Sequence, residues 1–347
     1  MSWALVDGER PLRGVVVGAG SLGPFWATEL MVGADTELVG WVDLDERRAR
    51  AAAATLGVPE LPTGGSLPAM LAAEAPDFVV NVTAPLAHHD VTVAALEHGV
   101  PVLSEKPMAP TMDQARAMVA AADRAGQLFA VSQNRRYMPT LTAYRDTVRR
   151  LSDLASVTCE FYLGHRVGPD HFLFTLDQPL LLDMAIHLFD GARAITGADP
   201  VSVYCESYNP SWSWFPGAAA ANAVFEMTGG LRFAFNGSWC ADGVQTSWTG
   251  SWRTVGARGT ATWDGDGAPR LDPAPGVELK PAVPVATVVP EGRFYGLAEA
   301  LAEYVAALRT GARPQGECQD NLYSLAMCHA AVESARTGER VPVTAAS

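Results

Sequence analysis

The first third of the chain alternates short apolar runs with amphipathic stretches of helical period. This alternation extends from Arg13 to about Gln133 and is typical of β-α-β units around a parallel sheet. The runs predicted as strands are 14–17, 37–42, 77–82, 101–104 and 128–131, and those predicted as helices are 24–31, 45–56, 89–97 and 112–125. We therefore predict an α/β fold whose N-terminal domain is a doubly wound Rossmann sheet.

The pattern changes after about Tyr137, where strand-like stretches follow one another without intervening helices. The predicted strands are 155–162, 201–208, 220–227, 231–239, 248–255 and 259–264, the predicted helices are 141–151, 180–195, 297–308 and 321–335, and 265–290 is predicted to be irregular. Such runs of strands indicate an α+β domain with a large, mostly antiparallel open sheet. We predict a nucleotide-binding domain over 1–135 and a substrate-binding and oligomerisation domain over 136–347.

Composition narrows the partners. A length of 347 residues suggests two domains, and a net charge of −13 argues against nucleic acid or an anionic membrane as partner. No apolar run approaches the roughly 20 residues of a membrane helix, and no N-terminal leader is recognisable. Five widely spaced cysteines without a CxxC pair predict reduced thiols and no metal site. We expect a soluble, cytoplasmic protein.

A glycine-rich turn between the first strand and the first helix is typical of a dinucleotide site. It reads Gly18-Ala19-Gly20-Ser21-Leu22-Gly23. In this motif the first glycine permits the tight turn, the second lets the backbone approach the pyrophosphate, and the third lets the helix pack closely. The free N–H groups of the helix N-terminus then bind the phosphates.

The carboxylate of Asp43 predicts which dinucleotide is bound. It lies about 20 residues past the last glycine, at the spacing for a contact with the adenosine ribose. A carboxylate accepts hydrogen bonds from a 2′-hydroxyl and repels a 2′-phosphate, which favours NAD over NADP. Two alternatives remain: Arg47 and Arg48 allow NADP, or Asp43 merely caps the next helix.

Two further groups carry candidate chemistry. Lys106, within Glu105-Lys106-Pro107, follows a predicted strand at the carboxyl edge of the sheet, where it can polarise a substrate oxygen or simply form a surface salt bridge. Asp183 and His187 are four residues apart on a predicted helix, with Asp190 beyond them. A carboxylate beside an imidazole suits a general base, although a structural core histidine fits the same pattern.

The ordered set of these motifs resembles the glucose–fructose oxidoreductase / inositol dehydrogenase / rhizopine-catabolism (Gfo/Idh/MocA) family over nearly the whole chain. Besides the glycine turn, Asp43, Glu-Lys-Pro and Asp-x-x-x-His, the resemblance rests on segments 83–88, 134–139 and 333–338. The glycine-rich lead-in usual before the last motif is here Gln178-Pro179-Leu180-Leu181-Leu182.

The resemblance implies roles residue by residue. Lys106 would contact the substrate hydroxyl and help position the nicotinamide, and Asp183 and His187 would form the acid–base pair. The dinucleotide would be bound by the glycine turn and Asp43, with a lining of Thr83, Pro85, His88, Glu105, Asn134 and Arg135. The implied reaction is hydride transfer between the nicotinamide and a secondary alcohol of a sugar, cyclitol or related polyol.

Other side chains are candidates for contacts with the substrate, in addition to Lys106, Asp183 and His187. Asp170 and His171 precede the catalytic helix, and one of Trp212, Trp214, Trp239, Trp248 and Trp252 can stack on a sugar. Two other functions are considered. NAD-dependent glycoside cleavage or elimination through a transient keto-sugar would use the same residues, whereas a non-catalytic dinucleotide or sugar sensor would have no need of Lys106, Asp183 and His187. We expect a homodimer or homotetramer formed through the open sheet.

Overall fold

The computed structural model describes residues 3–168, 170–279 and 294–345, which separate into two compact units. The first unit comprises 3–134 and 294–322, and the second comprises 135–168, 170–279 and 323–345. In this part of the chain, no helix combines the length and the apolar character that crossing a bilayer requires.

The helices, in chain order, are α1 (Gly23–Val32), α2 (Glu46–Thr55), α3 (Leu67–Glu74), α4 (His88–Glu97), α5 (Met112–Ala125), α6 (Pro139–Val148), α7 (Ala185–Thr196), α8 (Leu297–Thr310) and α9 (Cys318–Thr337). Short 3₁₀ turns span Pro85–Ala87, Asn134–Tyr137, Phe172–Thr175 and Thr228–Gly230, and a π-helical turn spans Leu180–Met184.

The first unit is built on a six-stranded sheet. Its strands are β1 (Leu12–Val17), β2 (Thr36–Val42), β3 (Thr63–Gly64), β4 (Phe78–Asn81), β5 (Val102–Glu105) and β6 (Phe129–Ser132). All pair in parallel, in the order β3-β2-β1-β4-β5-β6. This order confirms the predicted Rossmann sheet, and it reverses between β1 and β4, where such sheets bind their ligands.

Helix α8 completes the core of the first unit. Tyr304 packs its ring 5.8 Å from that of Phe78 on β4, and its hydroxyl donates to the carbonyl of Leu128 at 3.4 Å. The structure thus differs from the predicted domain boundaries in one respect. Residues 294–322 belong to the first unit although they come late in the chain. There, Tyr304 of α8 packs against the buried ring of Phe78 in the six-stranded sheet.

The second unit is built on an eight-stranded sheet. Its strands are β7 (Leu154–Tyr162), β8 (Pro200–Tyr208), β9 (Ala220–Met227), β10 (Arg232–Ser238), β11 (Ser251–Gly256), β12 (Gly259–Trp263), β13 (Arg270–Pro273) and β14 (Val341–Pro342). Their order is β13-β12-β11-β7-β10-β9-β8-β14. Only β7 and β10 pair in parallel among these described strands, so the prediction of a mostly antiparallel sheet is confirmed.

Helix α7 is anchored to this sheet by aromatic packing. The ring of Phe189 lies 4.8, 6.0 and 5.3 Å from those of Phe225, Phe233 and Phe235. All four side chains are buried, which holds α7 firmly on one face of β9 and β10.

Some predicted elements differ from those observed. The predicted helix 180–195 divides into the π-helical turn Leu180–Met184 and α7, and β13 lies within the stretch predicted to be irregular, of which 280–290 lie outside the described residues. Helix α3 and the two-residue strands β3 and β14 have no counterpart among the predicted elements.

Candidate functional site

In the turn after β1, the space available to a side chain differs among the three glycines. Gly18 has a φ of +110°, and a Cβ there would lie 2.6 Å from the carbonyl oxygen of Val82. A Cβ on Gly23 would lie 2.5 Å from the carbonyl oxygen of Gly18, so α1 packs directly against the turn. In contrast, a Cβ on Gly20 would meet no atom of the chain within 4 Å. The chain therefore does not itself require glycine at position 20, whereas a ligand pressed against the backbone there would require it.

The N-terminus of α1 is available to an anion. Its N-cap residue is Leu22, which offers no side-chain acceptor to the free N–H groups, and the first turn holds no acidic residue. Ser21 is exposed next to it. Unoccupied N–H groups at the end of a helix attract phosphate, so the turn fits the pyrophosphate of a dinucleotide.

Asp43, at the end of β2, is tied to the same turn. Its Oδ2 accepts the N–H of Ala19 at 2.7 Å and its Oδ1 accepts the N–H of Asp45 at 2.9 Å. The N-cap of α2 is Asp45, whose side chain accepts the N–H of Arg47 and also forms a two-bond ion pair with the Arg47 guanidinium at 2.9 Å. Asp43 therefore does not cap that helix, and its half-exposed carboxylate keeps further lone pairs for a ribose hydroxyl.

Replacing Asp43 by asparagine is expected to weaken NAD binding about ten- to a hundredfold and to narrow the preference for NAD over NADP, because a hydrogen bond to a charged acceptor is lost. Titration calorimetry with both dinucleotides measures the two affinities. The matched control is Asp45→Asn, which disturbs the ion pair to Arg47 but leaves the carboxylate beside the glycine turn. Equal effects of the two substitutions would contradict the role of Asp43.

The turn after β5 carries Lys106. The Glu105 carboxylate is buried, accepts the indole N–H of Trp26 at 2.8 Å and accepts the backbone N–H of Lys106 at 3.1 Å. Burial raises the pKa of Glu105, against the opposing effects of the Trp26 bond and the Lys106 charge. The Lys106–Pro107 peptide is cis. Glu105 thus fixes the base of the turn, and Lys106 is left half-buried at the sheet edge.

The loop after β4 lies between the glycine turn after β1 and the Lys106 turn after β5. Asn81 accepts the hydroxyl of Thr83 at 2.7 Å and donates to the His88 carbonyl at 3.1 Å. Pro85 is half-buried in the short turn before α4, whereas His88 is only 1% exposed. This burial differs from the implied place of His88 along the dinucleotide, because its ring contacts backbone carbonyls instead of an open surface. Asn134 is also buried and donates to the Tyr295 carbonyl at 2.9 Å.

In the second unit, Asp183 lies in the π-helical turn and His187 in the first turn of α7, and both are half-buried. The two residues therefore lie on either side of the junction between the π-helical turn and α7, four positions apart in the chain. The turn falls in the segment where the usual glycine-rich lead-in is replaced. Such turns are frequent at functional sites.

Arg135 lies beside this turn. Its guanidinium contacts the Met184 sulfur at 3.7 Å and donates to the Trp248 carbonyl. Burial lowers the pKa of Arg135 to about 10, with Cys159 and Asp183 opposing, so the side chain is still charged at neutral pH. Arg135 therefore places positive charge next to Asp183, and it belongs to the second unit, whereas the preceding Asn134 belongs to the first.

His165 is a candidate that the sequence reasoning missed. Its ring lies 4.6 Å from Trp239 and 5.3 Å from Trp248, and its carbonyl accepts the indole N–H of Trp214 at 3.0 Å. Burial lowers the pKa of His165, while the negative charge of Asp183 raises it. No motif marks this histidine, since it stands in a loop after β7; its proximity to Asp183 appears only in three dimensions.

The other substrate candidates differ in exposure. Asp170 and His171 are exposed, and His171 accepts the N–H of Leu173 at 3.4 Å at the start of a short turn. Trp212 is 71% exposed, whereas Trp252 is buried and stacks on Phe233 at 6.2 Å. Trp239 is as buried as Trp252, so Trp248, which is 51% exposed, is the tryptophan that combines an exposed ring with a contact to His165.

Each unit thus gathers part of the predicted set. In the first, the glycine turn, the Thr83 loop and the Lys106 turn follow β1, β4 and β5, which are neighbours in the sheet. In the second, Arg135, His165, Asp183 and His187 surround the start of α7.

Two family models match this chain. Residues 12–133 match the Gfo/Idh/MocA oxidoreductase family model of an NAD-binding Rossmann fold, and residues 149–262 match a Gfo/Idh/MocA C-terminal domain model. Together the two matches cover about two thirds of the chain.

Individual relatives agree with these matches. The chain is 29% identical to D-apiose dehydrogenase of Paraburkholderia graminis over 88% of this chain and 82% of that protein, and 31% identical to inositol 2-dehydrogenase 4 of Saccharopolyspora erythraea over 56% of each. It shares its fold, with a TM-score of 0.85 and 21% identity over 96% of this chain and 98% of the other, with an oxidoreductase of Agrobacterium radiobacter crystallised with NAD+, L-tartaric acid and magnesium. The chain belongs to the Gfo/Idh/MocA family of NAD-binding oxidoreductases.

Proposed function

We propose that the protein is an NAD-dependent dehydrogenase that oxidises, reversibly, a secondary alcohol of a sugar, cyclitol or related polyol. The observation that carries this proposal is the arrangement at one edge of the first sheet. Neighbouring strands lie about 4.8 Å apart, so the Lys106 turn after β5 is two strand spacings, on the order of 10 Å, from the glycine turn after β1. The proposed dinucleotide site and the Lys106 ammonium therefore lie at the same carboxyl edge of one sheet, close to its switch point.

The proposed cofactor is NAD, held by the glycine turn through backbone N–H groups and by Asp43 through its ribose. Support comes from the open space above Gly20, the uncapped start of α1 and the ion pair that occupies Arg47. When bound, NAD supplies the acceptor for the hydrogen that leaves the substrate carbon with its electron pair.

The proposed roles of the chain's own residues follow from their chemistry. Lys106 donates a hydrogen bond to the substrate oxygen and stabilises the negative charge that develops there. His187 accepts the hydroxyl proton as general base. Asp183 orients the imidazole and stabilises the positive charge that the ring acquires with that proton. Arg135 and His165 are proposed to line the substrate side, because both lie within electrostatic reach of Asp183.

The substrate class is supported by the relatives, among which are proteins named for D-apiose and inositol dehydrogenation. The second unit adds a chemical argument: it places the exposed ring of Trp248 beside the imidazole of His165. Stacking faces next to polar groups suit a polyhydroxylated ring.

The test is NADH formation, followed by absorbance, with a panel of aldoses, inositols and sugar acids at fixed NAD. At least one member is expected to give saturable turnover that is lost in His187→Ala. NAD binding without turnover of any member would contradict the dehydrogenase. Product formation without net NADH would instead identify cleavage or elimination through a transient keto-sugar.

We also propose a cytoplasmic homo-oligomer. All five cysteines are free and buried in the structure, which suits a reducing compartment. On the second sheet, the paired residues Tyr204 and Val224 are both exposed on one face, and Val201 and Tyr208 are exposed on the same strand as Tyr204. Apolar side chains collected on an open sheet face are a surface that a second copy can cover.

A further inference from the structure

His88 connects the two loops on which the proposed reaction depends. Its Nδ1 lies 2.7 Å from the carbonyl oxygen of Pro107, in the turn that carries Lys106, and its Nε2 lies 3.0 Å from the carbonyl oxygen of Thr83. A carbonyl oxygen only accepts hydrogen bonds, so the ring donates to both carbonyls at once as the imidazolium and to one of them at a time, according to its tautomer, when it is neutral. One side chain therefore bridges the ends of β4 and β5.

The histidine itself is held firmly. It is the first residue of α4, its side chain is 1% exposed, and its own carbonyl accepts the Asn81 amide at 3.1 Å. Asn81 is fully buried and also donates to the Thr92 hydroxyl one turn further along α4. The ring thus has a fixed base from which to hold two carbonyls.

Each of the two loops touches a different part of the site. The Thr83 loop supports the glycine turn, because a Cβ on Gly18 would lie 2.9 Å from the Thr83 nitrogen. The Pro107 carbonyl follows Lys106 directly, so its position fixes the backbone from which the ammonium extends. Glu105 holds the other side of the same turn through the N–H of Lys106.

We propose that His88 is a positioning residue, whose Nδ1 sets the Lys106 turn and whose Nε2 sets the loop beneath the dinucleotide turn. The inference rests on the proposed function for its kinetic consequences, but the contacts themselves are independent of any substrate. It assigns His88 an indirect role in place of a contact with the cofactor. Burial lowers the pKa of His88, and the Lys106 charge acts in the same direction, whereas the two carbonyls raise it.

Two substitutions separate the two contacts. The side-chain nitrogen of asparagine occupies nearly the place of Nδ1, and that of glutamine nearly the place of Nε2. His88→Asn keeps a donor towards Pro107 and is expected to retain kcat but to weaken NAD binding about three- to tenfold, the worth of one hydrogen bond. His88→Gln keeps the Thr83 contact and is expected to retain NAD affinity but to lower kcat about 10- to 100-fold, since small misplacement of a reacting group has large effects.

The position of Lys106 can also be followed without measuring turnover, because the chain contains few lysines that a reagent could label. The chain contains two lysines, Lys106 and Lys280, so Lys280→Arg leaves Lys106 as the single lysine. In that background, the rate at which an amine-acylating reagent labels Lys106 in the apo protein is measured by mass spectrometry. His88→Gln is expected to change this rate at least about threefold, whereas His88→Asn leaves it close to that of the parent.

The control is His98→Asn, at the exposed end of the same helix, with no expected effect on any of the three readouts. Circular dichroism and the unfolding midpoint establish that each variant folds. Equal losses in both His88 variants, or no change in either, would overturn the proposal. If the parent turned over no sugar or polyol, the proposed function would fail, while NAD affinity and the labelling rate would still decide the role of His88.

Discussion

Lys106→Ala is expected to lower kcat by about 10²- to 10⁴-fold while NAD affinity stays within about twofold of the parent, because the lost ammonium acts on the reacting oxygen. The backbone of the turn is held by Glu105 and by the Pro107 carbonyl, neither of which needs the lysine side chain. Stopped-flow kinetics with the best substrate of the panel and calorimetry with NAD measure the two quantities.

The matched control for this substitution is Lys280→Ala, which removes the only other lysine of the chain and is expected to leave kcat unchanged. Lys106→Arg adds a second comparison, since it keeps the charge but changes its shape and reach. A kcat for Lys106→Ala within a few-fold of the parent would remove the lysine from the chemistry. A parallel loss of NAD affinity would indicate a binding role instead.

Asp190→Ala is expected to destabilise the protein by about 3–5 kcal/mol, the usual consequence of leaving a buried charge without its partner. Both carboxylate oxygens of Asp190 accept from the Arg136 guanidinium, at 2.6 and 2.8 Å, and both side chains are less than a tenth exposed. The Ser324 hydroxyl donates to the same carboxylate at 2.6 Å and accepts from Arg193 at 2.9 Å. Urea unfolding followed by tryptophan fluorescence measures the change in free energy.

The control for burial is Glu333→Ala, since Glu333 makes an equally close two-bond pair with Arg336, at 2.6 and 2.9 Å, on the surface. Its loss is expected to leave the unfolding midpoint unchanged. If Asp190→Ala does not fold, Ser324→Ala removes one bond of the network and is expected to lose about 1 kcal/mol. Equal midpoints for the Asp190 and Glu333 variants would show that the buried network does not stabilise α7.

The sequence predicted those strands and helices whose apolar runs are long enough to show a period or to stand out from the neighbouring polar residues. Residues 220–227 coincide with β9, and the runs at β1 and β4 are buried on both faces, as parallel strands require. Strand β3 has two residues and thus no readable period. The order of the strands also has no local signature, because pairing depends on contacts between distant segments.

The candidate site shows the same limit. The glycine turn and Asp43 were recognisable because the glycines stand between a predicted strand and a predicted helix and the acid follows at the end of the next strand. The π-helical turn was not, since Leu180, Leu181 and Leu182 favour any apolar helix. His165 and the bridging role of His88 depend on groups far apart in the chain, and no spacing rule contains them. The catalytic and binding roles therefore stay predictions until the substitutions are measured.

The return of α8 to the first unit has a consequence for biosynthesis. A ribosome releases residues 3–134 long before it reaches 297–310, so the emerging nucleotide-binding half must wait with the buried face of Phe78 uncovered while the second unit is synthesised. Its folding is completed only when the penultimate helix emerges. The second unit in turn needs residues 323–345, which leave the ribosome later still, so neither unit can complete its fold until the C-terminal helices emerge, and folding is expected to finish only after translation.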